Sequence, residues 1–172
     1  MQYKKEIMKQ IMTLKGLFIV GLLLVKVAFA QEKAVQLPEL LTIHEKDDSE
    51  KLLKNALPEK GKIMLIFYDP GCGHCQELGE SIDKEPQLLT NTTVFFITMY
   101  ESELVDGYIN MFAPGLKSKK NISFWHDPGV EFIEKLDPKN YPATYIYNAK
   151  DKKLIQDFQG ENNVKKMTEY LK

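Results

Sequence analysis

The sequence predicts an α/β sandwich around a mixed sheet, and three observations carry that expectation. Two continuous apolar runs, KIMLIFY (residues 62–68) and TTVFFITMY (92–100), lie between turn signals and read as strands buried on both faces. Each is followed by a helical stretch, HCQELGESIDKE after the first and ESELVDGYINMF after the second. The C-terminal part then carries a hairpin pattern and an amphipathic segment. Strands that alternate with helices and end in a hairpin and a helix define this class.

The elements follow in order. Residues 31–47 are mixed and polar, and their LPELLTI run reads as an edge strand or a lead-in loop. Asp47, Asp48 and Ser49 offer helix caps before SEKLLKNAL, whose Leu52, Leu53, Ala56 and Leu57 form an apolar stripe; Pro58 and Gly61 end that helix. After the first buried strand comes a Asp-Pro-Gly turn, where Asp69 serves the turn, and then a helix. The second buried strand leads to a helix starting near Glu101 and stopped by Ala113-Pro114-Gly115. GLKSKKN reads as a surface loop, ISFW as a short strand and VEFIEKL as a helical piece. YPATYIYN and LIQDFQG form a hairpin with Asp151 in its lysine-rich turn. ENNVKKMTEYLK closes the chain as an amphipathic helix with Val164, Met167, Tyr170 and Leu171 on one face. Trp125 and Tyr108 read as packing residues, and His44 and His126 as isolated surface residues.

The N-terminus sets the compartment. Lys4, Lys5, Lys9 and Lys15 precede the apolar run GLFIVGLLLVKVAFA, which ends in Ala28-Phe29-Ala30 before a polar QEKA. A positive region, an apolar core and a small-x-small end describe a secretory signal peptide, with cleavage after Ala30. The run is shorter than the ~20 apolar residues of a membrane span, and Lys26 interrupts it. The expected organisation is a signal peptide over 1–30, a lead-in over 31–47 and one domain over 48–172, exported and soluble in the periplasm or another extracytoplasmic space.

Removing residues 1–30 takes away five of the 23 Lys+Arg and one of the 24 Asp+Glu, which leaves 18 against 23 and a net charge near −5. Every basic residue is lysine. An acidic chain without the bidentate guanidinium fork is poorly suited to phosphate backbones, so nucleic acid is not an expected partner.

The only two cysteines, Cys72 and Cys75, stand in FYDPGCGHCQEL as a CxxC pair. A structural staple, a pair of metal ligands and a redox dithiol are the three readings. A bridge across so short a loop stabilises by ~2 kcal/mol at best, against ~4 or more across a long loop, so a staple is a poor use of them. Metal binding lacks a second cysteine pair or a spaced histidine set to complete a tetrahedral site, and no bound cofactor is expected. Covalent haem needs histidine directly after the second cysteine, where this chain has Gln76. The redox reading fits the local geometry. Cys72 at a helix N-terminus faces unpaired N–H groups and the positive dipole end, which favour a thiolate. His74 adds a positive charge or a hydrogen bond, Gly73 permits close backbone approach, and Cys75, one turn on and more buried, keeps a higher pKa and acts as resolving thiol.

Strand-CGHC-helix, followed by a proline before a strand-hairpin-helix, resembles the thioredoxin-like thiol-disulfide oxidoreductases from about residue 48 to the C-terminus. The CGHC tetrad is shared with protein disulfide isomerases. The tail DPKNYPATYIYNAKDKKLI looks like the exported TlpA/ResA-like branch. The resemblance implies a three-layer α/β/α sandwich with a central mixed sheet. It implies that Pro142 is a cis-proline facing the cysteine pair and that the backbone at Tyr141 pairs with the substrate chain. Its partners would be cysteine-containing protein substrates and a redox partner dithiol, such as a membrane-bound electron donor or an oxidant.

Two departures bear on mechanism. Thioredoxin has a buried aspartate six residues before its first cysteine, and the matching position here is Ile66. Exported relatives often place a glutamate just after the next strand, and Glu101 occupies that place, either as a proton relay or as a solvated helix-capping carboxylate. The copper-chaperone relatives use a longer cysteine spacing, and the peroxidases a threonine or serine where Asp69 stands. The direction of electron flow stays open: CGHC argues for oxidation or isomerisation, the tail for reduction. The alternative function is a redox-silent binding or chaperone-like module on the same fold.

Overall fold

The structure is a computed structural model that describes residues 36–172. The expected signal peptide lies outside the described residues, as does the start of the lead-in. Strands β1 (His44–Glu45), β2 (Asp48–Leu52), β3 (Lys62–Phe67), β4 (Thr92–Thr98), β5 (Ile122–His126), β6 (Ala143–Asn148) and β7 (Leu154–Gln159) form one sheet in the order β2-β1-β5-β4-β3-β6-β7. β3, β4 and β5 run parallel, and β6, β7, β1 and β2 add antiparallel pairs, so the sheet is mixed. The helices are α1 (Leu53–Ala56), α2 (Gly73–Lys84), α3 (Ser102–Phe112), α4 (Glu131–Leu136) and α5 (Thr168–Leu171), with 3₁₀ turns at Pro86–Leu89, Pro114–Ser118 and Val164–Met167.

Alternation along β3 divides the core into two layers. Met64, Ile66 and Tyr68 pack on one side with Cys75, Leu78 and Ile82 of α2 and Tyr108 and Ile109 of α3. Ile63, Leu65 and Phe67 pack on the other side with Leu40, Ile43, Leu53 and Phe132. β3 is the hinge of this arrangement, with Ile63 through Phe67 at most 1% exposed. The architecture is thus a three-layer α/β/α sandwich.

The expected helix over SEKLLKNAL is replaced by strand β2 and the single turn α1. The apolar stripe is real, yet β1 pairs with the edge of β5 through His44↔His126 and draws β2 into a hairpin through His44↔Leu52. Only Leu53 of α1 is fully buried. Pairing on the sheet edge outweighs helix propensity there. The same pairing brings His44 and His126 together as a partly buried T-shaped pair with ring centroids 5.1 Å apart, so they are not isolated surface residues.

LPELLTI is irregular but anchored. Leu40 and Ile43 are buried, and the Glu131 carboxylate accepts from the Leu41 N–H at 2.8 Å, the Thr42 N–H at 2.7 Å and the Thr42 hydroxyl at 2.7 Å. The terminal helix is also shorter than expected. Asn163 accepts a hydrogen bond from the Lys165 N–H, so helical structure starts only at Val164 as a 3₁₀ turn that continues into α5. Val164, Met167 and Leu171 are buried as the stripe requires. Pro114–Ser118 within the expected loop winds into a 3₁₀ turn that buries Leu116.

Candidate active site

The site grows from the carboxyl end of β3. Tyr68 prolongs the pairing by one residue, donating its N–H to Ile97 O at 3.0 Å. Asp69-Pro70-Gly71-Cys72 then turns, closed by the Cys72 N–H on Asp69 O at 3.0 Å, while Asp69 Oδ1 accepts the Gly71 N–H at 2.7 Å. Gln76 Nε2 donates to Pro70 O at 2.9 Å and ties the turn to the first coil of α2. Proline, glycine and an acidic side chain make this tight reversal natural.

Cys72 occupies the N-cap of α2 in an extended conformation (φ −81°, ψ 123°), and its carbonyl accepts the Gln76 N–H at 3.0 Å. Its side chain is partly buried, whereas Cys75 is 1% exposed, and both thiols are free. Burial pushes the Cys75 thiol well above the ordinary range. The hydrogen bond with the Cys72 thiol and the charges of Cys72 and Asp69 push the same way, against a backbone hydrogen bond from Asp69. The pair therefore combines one accessible thiol at a helix N-terminus with one thiol that resists ionisation.

His74 and Gly73 lie exposed on the first turn of α2. A Cβ added at Gly73 meets nothing within 4 Å. Packing inside the chain therefore does not require that glycine, and the space beside Cys72 is open. Glu101 is exposed at the N-cap of α3 and makes no capping hydrogen bond with its side chain. It follows directly on Tyr100. Ile66 is fully buried within that layer.

The loop before β6 completes the face. The Tyr141–Pro142 peptide is cis, and Pro142 O accepts the Gly160 N–H at 2.8 Å. Tyr141 is 41% exposed and its ring lies 5.5 Å from that of Phe67. A groove of about 300 Å³ runs beside it, lined by Phe67, Tyr68, Asp69, Met99, Tyr100 and Tyr141. The Tyr100 hydroxyl donates to Asp69 Oδ2 at 3.1 Å and holds the β4–α3 turn to the cysteine turn. Two wider depressions, around Glu77 and Asn162 and around Pro86 and Lys120, lie off this face and hold no cysteine. Among the described residues no group of three or more His, Cys, Asp or Glu is placed to hold a metal ion.

Sequence reasoning passed over Met99 and Tyr100, although two large side chains directly beyond a buried strand end are a usable signal. It also treated Tyr108 as packing alone. The Tyr108 hydroxyl donates to Cys75 O at 2.9 Å, and its ring lies 4.8 Å from that of Tyr68. Burial raises both phenols far above the ordinary range.

A dithiol at the carboxyl end of a central strand, capping a helix across from a cis-proline loop, places the molecule in a known class. The thioredoxin-like domain pattern matches residues 49–172, and the chain belongs to that family. Solved structures agree on the fold. StoA from Bacillus subtilis is 13% identical, with a TM-score of 0.55 over 78% of this chain and 100% of its own. Mycobacterium tuberculosis dsbF, solved in mixed oxidized and reduced forms, is 13% identical, with a TM-score of 0.60 over 74% of this chain and 90% of its own. A secreted M. tuberculosis disulfide oxidoreductase homologous to E. coli DsbE is 16% identical, with a TM-score of 0.52 over 69% and 84%. No curated protein matches the chain in sequence. Among the described residues no helix is long and apolar enough to cross a membrane.

Proposed function

We propose that the chain is an exported thiol-disulfide oxidoreductase acting on cysteine-containing proteins through Cys72 and Cys75. One observation carries the reading: a half-buried cysteine caps a helix, and a deeply buried one of raised pKa follows a turn later. A thiolate is the attacking species, and Cys72 is the accessible thiol, placed at the N-cap of α2. In the reducing direction, Cys72 attacks a substrate disulfide, and one substrate sulfur leaves as a thiol. Cys75 then displaces the second substrate sulfur from the mixed disulfide, which forms the Cys72–Cys75 bond. The substrate gains two electrons and two protons, and the dithiol loses them. A partner dithiol restores the starting state, so no bound cofactor enters.

Tyr141 and Pro142 offer the edge along which an extended substrate chain lies, and the groove lined by Met99 and Tyr100 takes an apolar side chain next to the substrate cysteine. The secreted DsbE homologue supports an extracytoplasmic setting, and the lysine-flanked apolar N-terminus agrees with it.

The test is reduction of a disulfide-linked substrate by wild type, Cys72→Ser and Cys75→Ala. Turnover in wild type, none in Cys72→Ser and an accumulated mixed disulfide in Cys75→Ala support the reading. Equal turnover in wild type and Cys72→Ser overturns it in favour of a redox-silent binding module. The equilibrium potential against glutathione then sets direction: about −250 mV or below marks a reductase, about −180 mV or above an oxidase or isomerase.

A further inference from the structure

Resolution by Cys75 presents a physical problem, because its thiol lies in an apolar layer and ionises with difficulty. The position where the resemblance places a buried acid is Ile66, which is apolar and fully buried. Two hydroxyls stand on either side of it. Thr144 is the cross-strand partner of Ile66 on β6, 0% exposed, and its Oγ1 has no hydrogen-bond partner among the described residues. Tyr68 lies two residues beyond Ile66 on the same face, 2% exposed, and its hydroxyl likewise has no partner among the described residues. Both face Cys75. Met64, Ile66 and Tyr68 share the layer of Cys75, and so does Ile146, two residues from Thr144 on β6. The other unpartnered hydroxyls lie elsewhere: Tyr147 in the opposite layer and Thr92 at the far end of β4.

Buried hydroxyls without partners are uncommon and costly, and each calls for an explanation. A phenylalanine or a valine would fill the same space without that cost. We propose that Tyr68 and Thr144 donate hydrogen bonds to the Cys75 sulfur as it loses its proton, directly or through one water shared among the three groups. The inference rests on the redox reading above. In the step concerned, the Cys75 S–H bond breaks, the Cys72–Cys75 bond forms, and the bond from Cys72 to the substrate sulfur breaks. The departing substrate sulfur takes up the proton. The hydroxyls stay neutral throughout and give the nascent thiolate two donors in a site closed to bulk solvent. The titratable groups facing Cys75 are Cys72 and Asp69 from its own turn, Tyr68 directly after β3, Tyr108 from α3 and Tyr141 from the loop before β6.

The experiment follows the reaction of the reduced protein with an aromatic disulfide such as Ellman's reagent by stopped flow. The first release of coloured thiolate reports attack by Cys72, and the second reports displacement by Cys75. In the Tyr68→Phe/Thr144→Val double variant, the second release slows by about tenfold, the size expected for lost hydrogen bonds to a charged group. Its pH profile moves upward, and the second release slows far more than the first. Thr144→Ser keeps the hydroxyl and restores the rate in the Tyr68-intact background, where Thr144→Val alone is slowed. A double variant with an unchanged second release overturns the inference while the redox reading stands. Equal slowing of both releases also overturns it, since that marks a general disturbance of the site. No release from wild type overturns the redox reading and this inference together.

Discussion

Replacing Gly79 with alanine tests how tightly α2, the helix that carries both cysteines, is held against α3. Helix propensity alone favours the change by ~1 kcal/mol. The structure opposes it. A Cβ at Gly79 would lie 2.9 Å from Tyr108 Cζ and closer still to the Tyr108 hydroxyl, with Ala113 Cβ at 3.6 Å. Tyr108 has no room to withdraw. Its ring is wedged against Tyr68 at 4.8 Å and Phe112 at 5.9 Å, and its hydroxyl is engaged by Cys75 O. Overpacking of this kind costs ~1–3 kcal/mol, and a broken hydrogen bond adds ~1. Subtracting the propensity gain leaves a net loss of ~1–3 kcal/mol. Urea unfolding reads it as a lower midpoint at unchanged slope. Adding Tyr108→Phe removes the nearest atom and recovers part of the loss. A Gly79→Ala protein as stable as wild type, or more stable, would refute the close approach of α2 and α3.

Other predictions concern the segments that frame the site. Hydrogen bonds outweigh burial at Glu131: burial alone raises its pKa, but the Leu41 N–H, Lys135, and the Thr42 N–H and hydroxyl bring it from 4.5 down to about 2. A depressed carboxylate stabilises the fold above its ordinary pKa and loses that contribution as pH falls toward 2. The shift sets a ceiling of ~3 kcal/mol, and solvent screening lowers it to ~1–2. The stability gap between wild type and Glu131→Gln, measured by denaturant unfolding, is therefore largest near neutral pH and closes between about pH 4.5 and 2; a gap that stays constant with pH would count against it. Asp127 is fully buried and accepts the Phe132 N–H at 2.9 Å and the Gly129 N–H at 3.2 Å. Asp127→Ala strands a buried donor and costs ~1–3 kcal/mol in thermal or denaturant unfolding, and Asp127→Asn costs less because it keeps an acceptor.

Much of the chain was readable because its signals are local. β3 and β4 are uninterrupted apolar runs, α2 and α3 have clear ends, and the β6–β7 hairpin is bracketed by turn residues, so each element follows from near neighbours. The SEKLLKNAL stretch was misread for the complementary reason. Its helical stripe is outweighed by the open edge of β5, an edge about seventy residues away in the chain that no local window contains. The cysteine pair was legible for the same reason as the strands: CGHC, the turn before it and the helix after it are contiguous.

Sequence alone thus determined the sheet's central strands, the helix that presents Cys72 and the spacing of two thiols a turn apart, since propensity, turn residues and spacing act over short range. Only the tertiary structure decided what surrounds those thiols. Burial of Cys75 depends on α3 folding across α2 through Tyr108, the groove depends on Met99 and Tyr100 meeting Asp69, and the meeting of Thr144 with Ile66 depends on the register of β6 against β3. Desolvation and hydrogen bonding are properties of that assembled surrounding, contributed by residues far apart in the chain, and they are what separates a half-buried thiol from a neighbour that resists ionisation.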